Sequence, residues 1–558
     1  MSRMSGAELT IRLLEQQGVT RIAGIPGGCN LPLYDALSRS ERIRHILARH
    51  EQGAGFIAQG TARAGGVPAV FFATSGPGAT NTLTALADAR LDSIPVVCIT
   101  GQVPLGMIGT DAFQEVDIYG MSLPVAKHNF LVRSVEELLQ VIPEAFRIAA
   151  GGRPGPVLID IPKDVQAAVV DLPDLPAPGA PDAPRGPDPA QIAAAAERIN
   201  RSKRPFLLLG GGAAAPAIAR QALALVENRR IPAAMSLRGL GIIPDGHELS
   251  LGLLGMHGTR HANLLLEESD LLIVVGARLG DRTTGRLEKF CPNAEFVHID
   301  LDAGEVGKLR TPHTAVIADA GLALRALEPL LANHDRSPWL TRTAALKAQT
   351  PAFPGLDDPL TPYGIIHCAA AFLDDDAVIA TDVGQHQMRT AQSYPFRKPG
   401  RWLTSAGLGT MGFGLPAAIG AALECPEATV ACFTGDGSLL MNIQELATAA
   451  EENVNIKIIL CNNNALGLVQ QQQDLFFNGR VFASRYASNP DFIRIAEGFG
   501  IQGVNLSQSE DPMRDLEKAL RERGPRLIEV NVRAKDMVFP MVPPGAANSE
   551  MLGGDLHD

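Results

Sequence analysis

The chain has 558 residues, 46% hydrophobic and 20% charged, and carries a formal net charge of −11. That length exceeds a single hydrophobic core and sets three or four units of ordinary domain size, in a composition typical of globular enzymes. The acidic balance excludes a general affinity for nucleic acid or anionic lipid, so an anionic substrate needs local cations to hold it.

The opening "MSRMSGAELTIRLLEQQG" reads as a helix, not a targeting segment, with Ser5 and Glu8 as a capping box and Gly18 as its stop. In "RHEQGAGFIAQG", residues 49–60, Glu51 precedes small and apolar residues suited to close packing. A carboxylate buried there is costly unless it takes up a proton or finds a partner, which marks Glu51 for chemistry. "VPAVFFAT" and "IPVVCITG" read as buried strands; between them "SGPGATN", 75–81, is either a phosphate-sized glycine loop or a tight packing turn. Residues 171–189, "DLPDLPAPGAPDAPRGPDP", form a proline-rich linker. The middle of the chain supplies strands "RPFLLLGG", "DLLIVVGA" and "EFVHIDLD", and residues 335–360 form a second, milder linker. "DAVIATDVG", "TVACFTGDG" and "NIKIILCNNN" follow as strands.

Such runs alternating with helical patterns predict an α/β fold of three doubly wound parallel-sheet domains. They span about 1–170, 190–334 and 361–540, with a tail at 541–558. The seven cysteines form no C-x-x-C pair and read as reduced core thiols. No apolar run reaches the ~18 residues of a membrane span. A soluble, cytoplasmic protein without nucleic-acid or membrane partners is expected.

The strongest chemical signal is "FTGDGSLLMNIQELATAAEENVNIKIILCNNN". Asp436 ends one strand, a helix is expected over 438–452, and a second strand ends at Asn462 and Asn463. In a right-handed βαβ unit both strands run the same way, so Asp436 and Asn463 emerge at one sheet edge, roughly 5 Å apart if the strands are neighbours. Hard oxygen ligands so placed suit Mg²⁺, and the glycines let backbone N–H groups approach a phosphate. Singly, Asp436 is also a plausible N-cap and the asparagines a plausible turn. "SAGLGTMGFGLPAAIG" contains Gly407, Gly409 and Gly412 in G-x-G-x-x-G spacing, which a nicotinamide dehydrogenase shares. Phe413 and Pro416 crowd that turn and weaken this rival.

"GDGS…NNN" is similar to the thiamin diphosphate motif. With "IPGG", "RHEQGAGFIAQG", "SGPGATN", "IGTDAFQE", "GRPGPVLIDIPKDVQ", "LGMHG", "TDVGQHQM", "GLGTMGFGLPAAIGA", "MNIQELATA" and "MVPPGAAN", the chain resembles the catalytic large subunit of the acetohydroxyacid (acetolactate) synthase family, bacterial isozyme-I type. The resemblance implies that Glu51 shares a proton with the cofactor's aminopyrimidine ring, a role that burial favours by raising a carboxyl pKa. It implies Asp436, Asn463 and the Ala465 carbonyl as Mg²⁺ ligands. Gly384, Gln385 and His386, with Gly437 and Ser438, would hold the diphosphate. Gly409 and Met411 would meet the pyrimidine edge by backbone hydrogen bonds, the Met411 side chain propping the cofactor into its V shape; simple core filling is its other, compatible reading. It further implies a homodimer or tetramer with active sites shared between subunits and a separate small regulatory subunit.

The implied reaction decarboxylates pyruvate and joins the remaining two-carbon unit to a second 2-keto acid. Gln114, Lys163 and Arg282 are carried over as catalytic, and Gly28, Phe113, Met256 and Gln472 as substrate-binding; Lys163 and Arg282 also read as solvated surface charges. Arg153, Arg278, Asp300 and Asp319 resemble an FAD-binding surface, although Gly280 replaces one of two consecutive acids usual there. Gln472 stands where much of the family has a tryptophan favouring 2-ketobutyrate, so pyruvate is expected as the main acceptor. Glyoxylate carboligase, which lacks the glutamate, is the near rival. Decarboxylases and pyruvate oxidases do not account for "GTDAFQE" with "VPPGAAN". A non-catalytic binding protein is disfavoured by Glu51, Asp436 and Asn463.

Overall fold

Residues 2–172 and 174–553 are described by a computed structural model; Pro173 and the end of the tail, 554–558, lie outside it. Three six-stranded sheets follow one another along the chain, and every pairing within them is parallel. Parallel strands are covered on both faces by helices, which is why they read as continuous apolar runs. All of Val96–Gln102, Val157–Pro162, Val430–Gly435 and Ile456–Asn462 is buried.

In space the first sheet runs Arg44–Leu47, Arg21–Gly24, Ala69–Ala73, Val96–Gln102, Val157–Pro162, His128–Leu131. The third runs Trp402–Leu403, Val378–Thr381, Val430–Gly435, Ile456–Asn462, Arg526–Asn531, Gln502–Asn505. Numbered by sequence within its own sheet, each has the order 2-1-3-4-6-5. The central sheet runs Ser250–Leu253, Ala233–Met235, Pro205–Leu209, Leu271–Val275, Glu295–Asp300, Thr314–Ile317, or 3-2-1-4-5-6. In all three the order reverses beside the first strand, and ligand crevices open at such switch points, beyond the carboxyl ends of the strands.

The outer sheets are joined through helix Glu51–Gly65 of the first and Gly414–Glu424 of the third, which cross at glycines. A Cβ on Gly60 would stand 2.0 Å from the Ala417 carbonyl oxygen, and one on Gly420 1.9 Å from that of Ile57. Ile57, Leu86, Leu415, Ile419 and Leu446 consequently share one core.

Three local expectations need correction. Ser2–Ser5 is a strand, pairing antiparallel with Val169–Leu172, and the first helix starts only at Gly6, behind the expected Ser5–Glu8 capping box. The helix expected over 438–452 is two, Asp436–Met441 and Glu445–Glu451, because Asn442 turns aside and donates to the Gly412 carbonyl at 2.7 Å. Residues 335–360 carry helix Ser337–Ala348, with proline at its start; the buried Trp339 docks it on the central sheet by donating to the Pro205 carbonyl.

Candidate active site

At the switch point of the first sheet, strand Arg21–Gly24 leads into the loop with Gly28, and strand Ala69–Ala73 into "SGPGATN". "SGPGATN" is a packing turn. Gly76, at φ +58°, leaves a hypothetical Cβ only 2.7 Å from the Gln114 carbonyl oxygen, while Gly78 faces Thr74 and Glu51. The Cys29 N–H donates to Thr74 Oγ1 at 3.3 Å. Glu51 opens its helix at this edge, its Oε2 accepting from Asn81 Nδ2 at 2.9 Å. Glu51 is half-buried rather than buried. Of the glycines after it, Gly53 and Gly60 pack against Glu445 and Ala417 of the third domain, and Gly55 against Ala85 and Phe71 of its own. Gln114, at φ +59°, is half-buried, Phe113 is 87% exposed, and Lys163 is exposed just beyond strand Val157–Pro162.

The third sheet presents the complementary half. Gly435 pairs with Cys461, so Asp436 and Asn463 do leave neighbouring strands side by side. Asp436 is 1% exposed; burial pushes its carboxyl up, against the Asn489 amide and the N–H groups of Gly437 and Ala465, which pull it down. Asn489 Nδ2 donates to Asp436 Oδ2 at 2.6 Å and Asn462 Oδ1 at 2.8 Å. Ala465 N–H donates to Asn463 Oδ1 at 3.0 Å. Gln385 Oε1 lies 3.5 Å from Asn463 Nδ2, and Gln385 Nε2 donates to Gln471 at 3.1 Å. The His386 ring sits between two glycine turns, a Cβ on Gly435 falling 3.0 Å from its Nδ1 and one on Gly384 2.9 Å from its Cε1. Burial pushes its pKa down to about 3, keeping it neutral, and its buried Nε2 has no partner among the described residues. Ser438 Oγ donates to the Val383 carbonyl, tying two turns together.

Gly409 and Met411 lie on the loop after edge strand Trp402–Leu403. A dinucleotide fingerprint belongs after a sheet's first strand, so this placement removes the dehydrogenase reading of the G-x-G-x-x-G spacing. Asp382 closes the loop, accepting from the Gly412 and Gly414 N–H groups at 2.8 and 3.2 Å.

Three family models match in chain order. The N-terminal TPP binding domain of thiamine pyrophosphate enzymes covers residues 4–121, their central domain 192–327 and their C-terminal TPP binding domain 382–530. The chain is 57% identical over 553 residues to the acetolactate synthase isozyme 1 large subunit of Escherichia coli, covering 99% of this chain and 98% of that protein. It is 45% identical to the isozyme 2 large subunit of that organism, over 98% of this chain and 99% of the relative. Against acetolactate synthase 2, chloroplastic, of Nicotiana tabacum it is 44% identical, over 98% and 85%.

The chain belongs to the acetolactate synthase family. In this acetolactate synthase family member the central-sheet switch point lies between Pro205–Leu209 and Leu271–Val275. The turns beyond them meet closely, a Cβ on Gly210 falling 2.1 Å from the Gly276 carbonyl oxygen. Arg278 reaches from there to Gly407 of the third domain. Asp300 ends its strand with its carboxyl pushed up to about 6 by burial. Arg153 pairs with Asp302 and Glu305 at 3.0 and 2.7 Å, and Asp319 caps helix Ala320–Leu327. Met256 and Arg282 are brought together, Met256 N–H donating to the Arg282 carbonyl at 2.7 Å, and tail residue Val542 donates to Met256. The Arg282 guanidinium is exposed and pairs with Asp281. Gln472 is exposed, whereas its neighbour Gln471 is buried between Gln385 and Val538. Sequence reasoning missed Asp382, Asn442 and Asn489. Asp382 and Asn442 had a signal, sitting inside "TDVGQHQM" and "MNIQELATA"; Asn489 had none.

Proposed function

We propose that this chain acts as an acetolactate synthase, decarboxylating pyruvate and joining the two-carbon remainder to a second 2-keto acid, chiefly pyruvate and also 2-ketobutyrate, in branched-chain amino acid biosynthesis. The observation that carries the reading is that two sheets of one strand order each gather the expected groups: Glu51, after the edge strand of the first, meets Asn81 beyond its switch-point strand, while His386 and Asp436 follow the two switch-point strands of the third, with Asn463 after the next. Thiamin diphosphate, when bound, supplies the electron sink that lets a 2-keto acid lose CO₂. The residues fit it. The orphaned Nε2 of neutral His386 is a ready hydrogen-bonding group for a diphosphate oxygen, beside Gly384, Gln385, Gly437 and Ser438. Asp436, Asn463 and the Ala465 carbonyl make a hard oxygen set for Mg²⁺.

Glu51 holds a proton at the pyrimidine edge, with Asn81 fixing its carboxylate, while Gly409 and Met411 orient that ring through the backbone. Gln114, Phe113, Gly28 and Lys163 face the substrate from the first domain, and Met256, Arg282 and Gln472 from the other side; the Arg282 guanidinium takes the second substrate's carboxylate. FAD would lie beyond the carboxyl ends of Pro205–Leu209 and Leu271–Val275, over the closely packed Gly210 and Gly276 turns, with Arg153, Arg278, Asp300 and Asp319 around it; the order reversal between those strands supports this. The overall reaction is redox neutral, so the flavin transfers no hydride. The relatives named large subunits support a separate small subunit. The test adds pyruvate with and without thiamin diphosphate and Mg²⁺ and measures acetolactate. Product only when both are present is expected; its absence from the complete mixture overturns the proposal.

A further inference from the structure

The loop carrying Gly409 and Met411 belongs to the third domain, yet much of its shape is fixed from the first. Asp88 and Asp92 stand four residues apart on helix Leu83–Asp92. Asp88 Oδ2 accepts from the Ser405 hydroxyl and, at 2.7 Å, from the Thr410 hydroxyl. The Thr410 N–H donates in turn to Ser405 Oγ at 2.8 Å, so one carboxylate oxygen pinches both ends of the loop. Asp92 accepts the N–H groups of Ala406 and Gly407 at 3.1 and 2.9 Å. Arg63 lies 2.9 Å from Asp92 and 3.5 Å from Asp88, and donates to the Thr404 carbonyl at 3.0 Å.

The three charged side chains are sealed from water, with Arg63 4%, Asp88 0% and Asp92 1% exposed. Ion clusters this deep add little net stability relative to apolar packing, because desolvation offsets the attraction. Asp88 Oδ1 makes no hydrogen bond among the described residues and faces Arg63 Nη2 across 3.5 Å. What the cluster does fix is the geometry around Thr410, whose two neighbours are Gly409, at φ +73°, and Met411.

We propose that Asp88 is a positioning residue which, through Ser405 and Thr410, holds Gly409 and Met411 where the aminopyrimidine of thiamin diphosphate meets them. The inference rests on the cofactor reading above. Its test is Thr410→Val, which removes one hydroxyl and keeps the side-chain volume, with Thr410→Ser as the conservative control and Asp88→Asn as the stronger lesion. Thiamin diphosphate binding is followed by calorimetry at saturating Mg²⁺, thermal unfolding on the cofactor-free proteins, and kcat and KM for pyruvate at saturating cofactor. Thr410→Val should weaken cofactor binding roughly tenfold, the worth of a charge-assisted hydrogen bond. The lost bond should also lower the unfolding midpoint of the cofactor-free protein, KM for pyruvate should stay at wild type, and Thr410→Ser should match wild type in binding and midpoint. Undiminished binding by Thr410→Val, or equal weakening by Thr410→Ser, which keeps the hydroxyl, overturns the inference. Wild type that binds no thiamin diphosphate overturns the functional reading and this inference with it.

Discussion

Asp160 is 1% exposed, on a central strand of the first sheet. Thr100 and Gln102 donate to its two oxygens at 2.7 and 2.9 Å, and Gln102 also holds the Val116 carbonyl, at the end of the loop with Gln114. Burial pushes the Asp160 carboxyl from 3.8 to about 7, with Asp117 adding to the rise and the two donors opposing it. Between those values the folded chain binds more protons than the unfolded one, so this group's contribution to stability falls as pH rises. It is fully present below 3.8 and lost once pH passes about 7. Asp160→Asn stays neutral throughout. In urea unfolding, the stability of wild type relative to this variant should decline across that window and then level off; a constant difference would contradict the assignment. Glu51 teaches a related lesson: its residue type and helical position were legible, but its half-buried setting and its Asn81 partner arise from a turn 30 residues away.

The crossing of helices Glu51–Gly65 and Gly414–Glu424 shows why glycine recurs in both motifs. At each crossing point a Cβ would stand about 2 Å from a backbone carbonyl oxygen, and backbone cannot swing aside as a side chain can. Gly420→Ala should therefore cost roughly 2–3 kcal/mol by overpacking. Gly106→Ala, where nothing lies within 4 Å, should stay within about 0.5 kcal/mol. Denaturant midpoints of the two variants check this, and equal effects would dismiss the crossing as a constraint. Among the elements, the buried strands were legible because burial on both faces leaves an unbroken apolar run. The break at Asn442 was not, since its cause is the distant carbonyl of Gly412. Helix Ser337–Ala348 was hidden by the prolines around it, and its burial depends on Trp339 finding the central sheet.

At the scale of the molecule, the side chains nearest Glu51 and nearest Asp436 come from their own domains. The side-chain partner of Glu51 is Asn81, and those around Asp436 and Asn463 are Asn489 and Gln385. Apolar side chains stand exposed in the segments flanking both halves, among them Leu31, Phe113, Leu408 and Met441. If two chains complete each site, mixing inactive Glu51→Gln and Asp436→Asn proteins should restore about a quarter of wild-type activity, because half the dimers are mixed and each carries one intact site of two. Recovery no greater than the sum of the separate proteins would place each site within one chain.

By itself the sequence determined the α/β class and marked the residue types of the candidate site: one acid after a strand, an Asp and an asparagine pair flanking a βαβ unit, and glycines where backbone must come close. Those are local properties, written in apolar runs and short spacings. Only the tertiary structure decided that the first and third sheets share one strand order, that Asp88 and Asp92 reach into the Gly409 loop, and that Gln471 rather than Gln472 faces inward. These depend on contacts between residues far apart in the chain, for which no short spacing leaves a signature.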